Sequence, residues 1–211
     1  MIQLNLGSHN KPIGDEYINI DIQELDAVDA RCDLSIIPFA LIILKPEKFG
    51  DDWDLFEDQL SGRTPVIIED NSIDEIVMEE VLEHLSFKIT HIVLKEIFRI
   101  LKIGGKLKIQ VPDCGAAMKA WLEKKVCDCV PHKAFVTGIF KPKKDCPKCG
   151  GKAIMDWDRW LFSFMGCQKN EWDFHRAIFT KEIMDRELRH AGFSTIKYID
   201  NQVKIKVEVI K

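Results

Sequence analysis

Three groups of side chains in this sequence have the types and spacing that chemistry requires. The first is a set of cysteines: Cys127-x-Cys129 is followed, after sixteen residues, by Cys146-Pro147-Lys148-Cys149-Gly150-Gly151. Two thiolates two residues apart in a tight turn, with glycines next so that backbone N–H groups can approach the sulfurs, are what one knuckle of a tetrahedral zinc site supplies. The partner pair is one residue shorter than the usual spacing, and His132 lies close enough to replace one of its thiols. If Cys127, Cys129, Cys146 and Cys149 all bind one ion, no position is left for water and the zinc is structural. The alternative is four reduced thiols. Cys32, Cys114 and Cys167 stand alone, and seven cysteines is an odd number, so the pattern is not a secreted disulfide framework.

The second group lies at strand ends. Gly7 stops the alternating stretch Ile2-Gln3-Leu4-Asn5-Leu6, and Asp21 comes near the end of a second strand, Tyr17-Ile18-Asn19-Ile20-Asp21-Ile22. A glycine there lets a ligand approach the backbone, and the acid can accept both hydroxyls of a ribose. No G-x-G-x-x-G fingerprint is present, so nothing cradles a pyrophosphate, and a nucleoside is favoured over a dinucleotide. The third group is histidine. His84, just past the fourth strand, is the first candidate for a general base and His175 the second. The plainer role for His84 is a hydrogen bond to a neighbouring loop.

These groups must be held by ordinary elements. The chain has 211 residues, 46% apolar and 30% charged, which suits one globular domain over 1–211 and excludes disorder. Its longest apolar run, Ile36 to Leu44, is far short of the roughly 20 residues a membrane-spanning helix needs. The N-terminus reads as strand rather than signal peptide, and a cytoplasmic protein without membrane contact is expected. Net charge is −4, against a surface devoted to nucleic acid or anionic membrane. Between 124 and 152, however, eight lysines face two acids, a balance of +6, leaving −10 elsewhere. This shift marks 124–152 as an inserted zinc-knuckle subdomain.

A short third strand is expected at 31–34, a buried strand at 73–78 and a short helix or loop at 79–85. A helix capped by Ser86 should run over 87–102 and end at Gly104-Gly105, followed by a strand over 106–111 that Pro112 stops. A helix over 116–125 leads into the insert. Thr180 caps a later helix stopped by Gly192, and a hairpin over 195–209, turning at Asp200-Asn201, closes the chain. Residues 35–71 carry no assignable pattern. The alternation implies an α/β sheet, mostly parallel, with ligands at the carboxyl ends of its strands.

The ordered stretches Leu4-Asn5-Leu6-Gly7-Ser8, Tyr17 to Asp21, Glu69 to Ile76, Val81-Leu82-Glu83-His84-Leu85, Leu94 to Leu107, Val111-Pro112-Asp113, His175 to Thr180 and Ala191-Gly192-Phe193 resemble the class I S-adenosylmethionine-dependent methyltransferases of type 11. The Val-Leu-Glu-His and Arg-x-Leu-Lys-x-Gly-Gly stretches carry most of the specificity. The resemblance implies a Rossmann-like seven-stranded sheet with a C-terminal antiparallel hairpin. It also implies a donor site of Gly7, Ser8, Asp21, Ile22, Cys32, Asp33, Leu34, Glu79 and Val81. In it Asp33 bonds the adenine amino group, Cys32 and Leu34 flank the ring, and Glu79 to Val81 line the donor. The chain departs from the family at His9, where a second glycine is usual.

The expected function is methyl transfer from S-adenosylmethionine by direct displacement, which itself needs no metal. A small-molecule or sugar hydroxyl is the favoured acceptor, because the body is acidic and His175 to Thr180 is similar to stretches in methyltransferases near polysaccharide pathways. Two alternatives stand beside it: a nucleic-acid-binding or nucleic-acid-modifying protein that grips phosphates through the basic insert, and a fold that binds the donor without catalysis. The insert itself either walls the acceptor site or packs outside it.

Overall fold

The computed structural model describes residues 1–9, 11–49, 53, 64–130, 143–199 and 203–211. These residues hold nine strands: β1 (Gln3–Leu6), β2 (Tyr17–Asp21), β3 (Ala30–Arg31), β4 (Ala40–Ile43), β5 (Val66–Ile67), β6 (Ile73–Glu79), β7 (Leu101–Pro112), β8 (Thr195–Ile199) and β9 (Lys204–Ile210). They form one sheet in the order β5-β4-β3-β2-β1-β6-β7-β9-β8. The pairs from β3 through β2, β1 and β6 to β7 are parallel, and β9 runs antiparallel between β7 and β8. All five residues of β2 are buried, as a central parallel strand covered on both faces requires. In β9 the buried Ile205, Val207 and Val209 alternate with half-buried Lys206 and Glu208, the pattern of a strand covered more fully on one face.

The expected seven strands are therefore nine. The extra two, β4 and β5, come from 35–71, the region without a readable pattern, and extend the β3 edge in antiparallel fashion. A two-residue strand has no period of its own; only the neighbouring edge defines it. β3 also lies earlier than expected, which leaves Cys32, Asp33 and Leu34 in the loop after it.

Among the described residues four helices pack on the sheet or border it: α1 (Thr90–Ile100), α2 (Cys114–Leu122), α3 (Trp157–Met165) and α4 (Lys181–Ala191). α1 is shorter than the expected 87–102. Ser86 begins the turn before it, its carbonyl accepting from the Ile89 amide at 2.9 Å. Gly104-Gly105 does not end this helix. β7 starts at Leu101 directly after α1, and its register against β6 slips between Ile73↔Leu101 and Glu75↔Lys106, so both glycines lie in an irregular stretch of strand. Gly104 takes φ +81 there, and its amide donates to the Lys211 carbonyl at 3.0 Å. α2 begins earlier than predicted, capped by Asp113, whose carboxylate accepts from the Ala116 amide at 2.8 Å. α3 adds a helix beyond the expected elements, capped by Asp156, whose carboxylate accepts from the Arg159 amide at 2.8 Å. α4 starts at Thr180 as expected, its hydroxyl accepting from the Ile183 amide, and ends on left-handed Gly192. Such an N-cap is worth about 1 kcal/mol. The turn of the final hairpin lies outside the described residues.

Candidate functional site

Because β1, β2, β3, β6 and β7 are parallel, their carboxyl ends share one edge of the sheet, and the predicted donor-site residues fall along it. The Ile20 carbonyl accepts from the amides of Gly7 at 2.7 Å and Ser8 at 3.0 Å, so the chain folds over the end of β2. Gly7 has φ +68, and a Cβ built on it would lie 2.4 Å from Val81 Cγ2. Only glycine permits both that turn and that approach. Asp21 is 8% exposed and receives the His9 amide on Oδ2 at 2.8 Å and the Gln23 amide on Oδ1 at 2.9 Å. A carboxylate oxygen has two lone pairs, so each keeps one for a hydroxyl donor. His9 sits at φ +46: the left-handed turn that a glycine would make is kept, with an exposed imidazole attached.

The loop after β3 brings Cys32, Asp33 and Leu34 to the same edge. The Cys32 amide donates to the Asp21 carbonyl at 3.0 Å, and burial pushes the Cys32 thiol up to about 12, so it is a neutral, apolar wall. Asp33 Oδ1 accepts from the Ser35 amide and hydroxyl at 2.8 and 2.6 Å. Ile22 directly follows β2, and exposed Glu79 ends β6.

Beyond β6 a 3-10 turn, Leu82–His84, is crossed by the segment 174–179: the Glu83 carbonyl accepts from the amides of Arg176 at 2.7 Å and Ala177 at 3.0 Å. The crossing brings His84 and His175 together, with ring centroids 5.0 Å apart and an interplanar angle of 78°. Burial lowers the His175 pKa, and the neighbouring His84 adds to this. Glu83, the chain neighbour of His84, is 1% exposed, and neither carboxylate oxygen has a hydrogen-bond partner among the described residues. Burial pushes its carboxyl well above the usual range, and the charge of Glu80 adds to that; its own main-chain amide and Lys204 act the other way. Beside His175 lies a groove of about 350 Å³, lined in part by Phe87, Ile178, Ile183 and Arg186 and within the size of small-ligand sites.

The cysteine insert leaves after α2 and returns at α3. Its stem is held by a bridge between Val126 and Met155, by the Cys127 amide on the Met155 carbonyl at 3.0 Å and by the Ile154 amide on the Lys125 carbonyl at 2.8 Å. The four cysteines converge, with Cys127 and Cys146 sulfurs 3.6 Å apart and Cys129 and Cys149 sulfurs 3.4 Å apart. Sulfurs at 2.3 Å from a tetrahedral zinc are about 3.8 Å from one another, so the set fits that ion. Burial and the hydrogen bond with Cys149 push the Cys129 thiol up to about 12. At Cys149 burial is outweighed by Cys129 and by the amides of Ala153 and Gly151, which hold the thiol at about 6. His132 lies outside the described residues. Lys143, Lys144, Lys148 and Lys152 are exposed on the insert.

Residues 60–109 match a profile described as a methyltransferase domain. No curated protein sequence matches the chain. Among solved structures it is similar to a S-adenosylmethionine-dependent methyltransferase of Thermotoga maritima, described as a possible histamine N-methyltransferase. The two share 12% identity and a TM-score of 0.54 over 100% of this chain and 82% of that one. A S-adenosylmethionine-dependent methyltransferase of Archaeoglobus fulgidus gives 12% identity and a TM-score of 0.49 over 99% and 85%. The first likeness is one of fold, a Rossmann-like α/β sheet.

Proposed function

We propose that this chain transfers a methyl group from S-adenosylmethionine to a hydroxyl of a small molecule or sugar. One observation carries the reading: Gly7 in left-handed conformation against Val81, beside buried Asp21, at the carboxyl ends of adjacent parallel strands. The methyltransferase profile over 60–109 covers β6, α1 and most of β7 and supports it. When bound, the donor supplies an electrophilic methyl on a sulfonium. Asp21 accepts the ribose hydroxyls, Cys32 and Leu34 flank the base, Asp33 accepts from the adenine amino group, and Ser8, Ile22 and Glu79 complete the lining. Val81 closes the crevice towards the 3-10 turn, where His84 and His175 stand on the acceptor side as proton acceptors. Cys127, Cys129, Cys146 and Cys149 hold a structural zinc that shapes the insert.

A screen of labelled methyl transfer across sugar, small-molecule, protein, RNA and DNA acceptors tests the reading. Calorimetry with S-adenosylhomocysteine tests the donor site separately: Asp21→Ala should lose at least about 1 kcal/mol of affinity, the low end for a charged acceptor. Unchanged affinity removes Asp21 from the site; absence of any binding by the wild-type chain overturns the reading. The exposed insert lysines favour a second reading, transfer to nucleic acid, which predicts binding that weakens steeply with salt.

A further inference from the structure

Glu83, His84 and His175 each offer one ligand atom, and these atoms lie within 4.8 Å of one another. The three come from a 3-10 turn and from a segment about ninety residues later, so their meeting is a product of the fold. Each histidine is oriented by a main-chain carbonyl: His84 Nδ1 is 3.1 Å from the Phe174 oxygen, and His175 Nδ1 is 3.3 Å from the Ser163 oxygen. A carbonyl only accepts, so Nδ1 of each ring carries the hydrogen and Nε2 keeps its lone pair. A backbone carbonyl on the far nitrogen is the arrangement that orients metal-binding imidazoles.

The third member has no such support. Glu83 is buried, and both its oxygens lack a hydrogen-bond partner among the described residues. Burying a carboxylate without a donor is costly, and native interiors avoid it. The neighbouring acid, Glu80, is already held by the Gln110 amide at 2.9 Å and Lys204 at 3.1 Å. With Nδ1 of each ring on a carbonyl, the groups left to offer are two Nε2 lone pairs and the Glu83 carboxyl, whose charged form has no donor among the described residues. A cation is what it lacks.

We propose that Glu83, His84 and His175 bind a divalent transition-metal ion of the zinc or iron type. Two imidazoles and one carboxylate suit such ions better than magnesium or calcium, which prefer oxygen ligands. Ligand atoms about 2.1 Å from the ion are about 3.4 Å apart in a tetrahedron, so the widest gap closes by at most about 1.4 Å, within reach of side-chain rotation. Three protein ligands leave a coordination position open for water or an oxygen of a small ligand; with the ion bound both Nε2 lone pairs are taken, so His84 and His175 serve as proton acceptors only in its absence. The site is separate from the cysteine cluster and does not depend on the chain transferring methyl groups.

The test is the zinc content of the intact chain after loading with Zn²⁺ and desalting, in three forms: wild type, Glu83→Gln, and the pair Cys146→Ser with Cys149→Ser. Wild type should hold one equivalent that Glu83→Gln loses and a different equivalent that the cysteine pair loses. Glu83→Gln keeps the side-chain shape and removes a buried charge, and circular dichroism confirms its fold. His175→Ala should lose the same equivalent. Titration calorimetry with Zn²⁺ on protein whose cysteine site is already filled should show Glu83→Gln weakening the remaining site by at least about 10-fold, the lower end of even an outer-shell change. If Glu83→Gln and His175→Ala retain the wild-type zinc content and affinity, the site does not exist. If only the cysteine pair changes the content, the proposal is likewise overturned while the cysteine site stands.

Discussion

Replacing Gly7 by alanine should destabilise the chain by two separable routes. At φ +68 a non-glycine residue costs about 1–2 kcal/mol in backbone strain. The added Cβ would also stand 2.4 Å from Cγ2 and 2.8 Å from Cγ1 of Val81. Val81 is half-buried and packs on the main core, so its side chain cannot simply swing away. Overpacking of this kind costs about 1–3 kcal/mol, giving a total for Gly7→Ala of about 2–5 kcal/mol. Val81→Ala removes the obstructing methyls and leaves the dihedral untouched. In that background Gly7→Ala should cost only the strain, about 1–2 kcal/mol, and the double-mutant cycle should return a coupling of about 1–3 kcal/mol. Urea unfolding of the four proteins, compared at constant m-value, measures each corner. A cost for Gly7→Ala below about 1 kcal/mol, or an equal cost in both backgrounds, would refute the close packing of the β1 end on the β6 end.

Three further outcomes are expected. Burial pushes the Glu96 carboxyl up, but Arg99 and the Phe39 amide, which donate to it at 2.6 to 2.8 Å, outweigh this and hold it below its usual 4.5. The stability it contributes, about 1.5–3 kcal/mol for charged hydrogen bonds, is therefore present above pH 4.5 and lost as pH falls through the lower folded value. The gap in urea midpoint between wild type and Glu96→Gln should narrow only below that pH; a gap independent of pH contradicts the assignment. Protein purified without chelator should contain zinc that depends on Cys127, Cys129, Cys146 and Cys149, and less than about half an equivalent at that site by elemental analysis would exclude a structural zinc there. Replacing 126–150 with a Gly/Ser linker should leave affinity for S-adenosylhomocysteine intact and abolish transfer if the insert walls the acceptor; unaffected transfer would place it outside the site.

What the sequence conveys depends on whether an element carries its own signal. β1, β2, β6, α4 and the final hairpin do: each has a period of apolar residues closed by a recognisable stop such as Gly7 or Gly192. β4 and β5 do not, because they exist only as additions to an edge: Ala40 to Ile43 lie inside an unbroken apolar run, and the two residues of β5 show no period. The α1–β7 boundary misleads for another reason. The helix passes into the strand without a loop, and a glycine pair that would ordinarily end a helix serves instead to buckle the strand where Lys211 meets it.

The same distinction governs the site. Gly7 and Asp21 can be read from strand ends, because the chemistry follows from where a parallel strand stops. Glu83 cannot, since its importance lies in being buried with no donor among the described residues, and that burial depends on a segment about ninety residues away crossing the 3-10 turn. The cysteine pairs fall between these cases. The spacing of Cys127 and Cys129 is short for a knuckle, yet their sulfurs lie 3.6 and 3.4 Å from those of Cys146 and Cys149. The Cys127 amide is tied to the Met155 carbonyl, and Val126 bridges to Met155, so the stem rather than a local turn aims that thiol at its partners. A long-range main-chain contact thus does for the first pair what the Pro-Lys spacer does for the second.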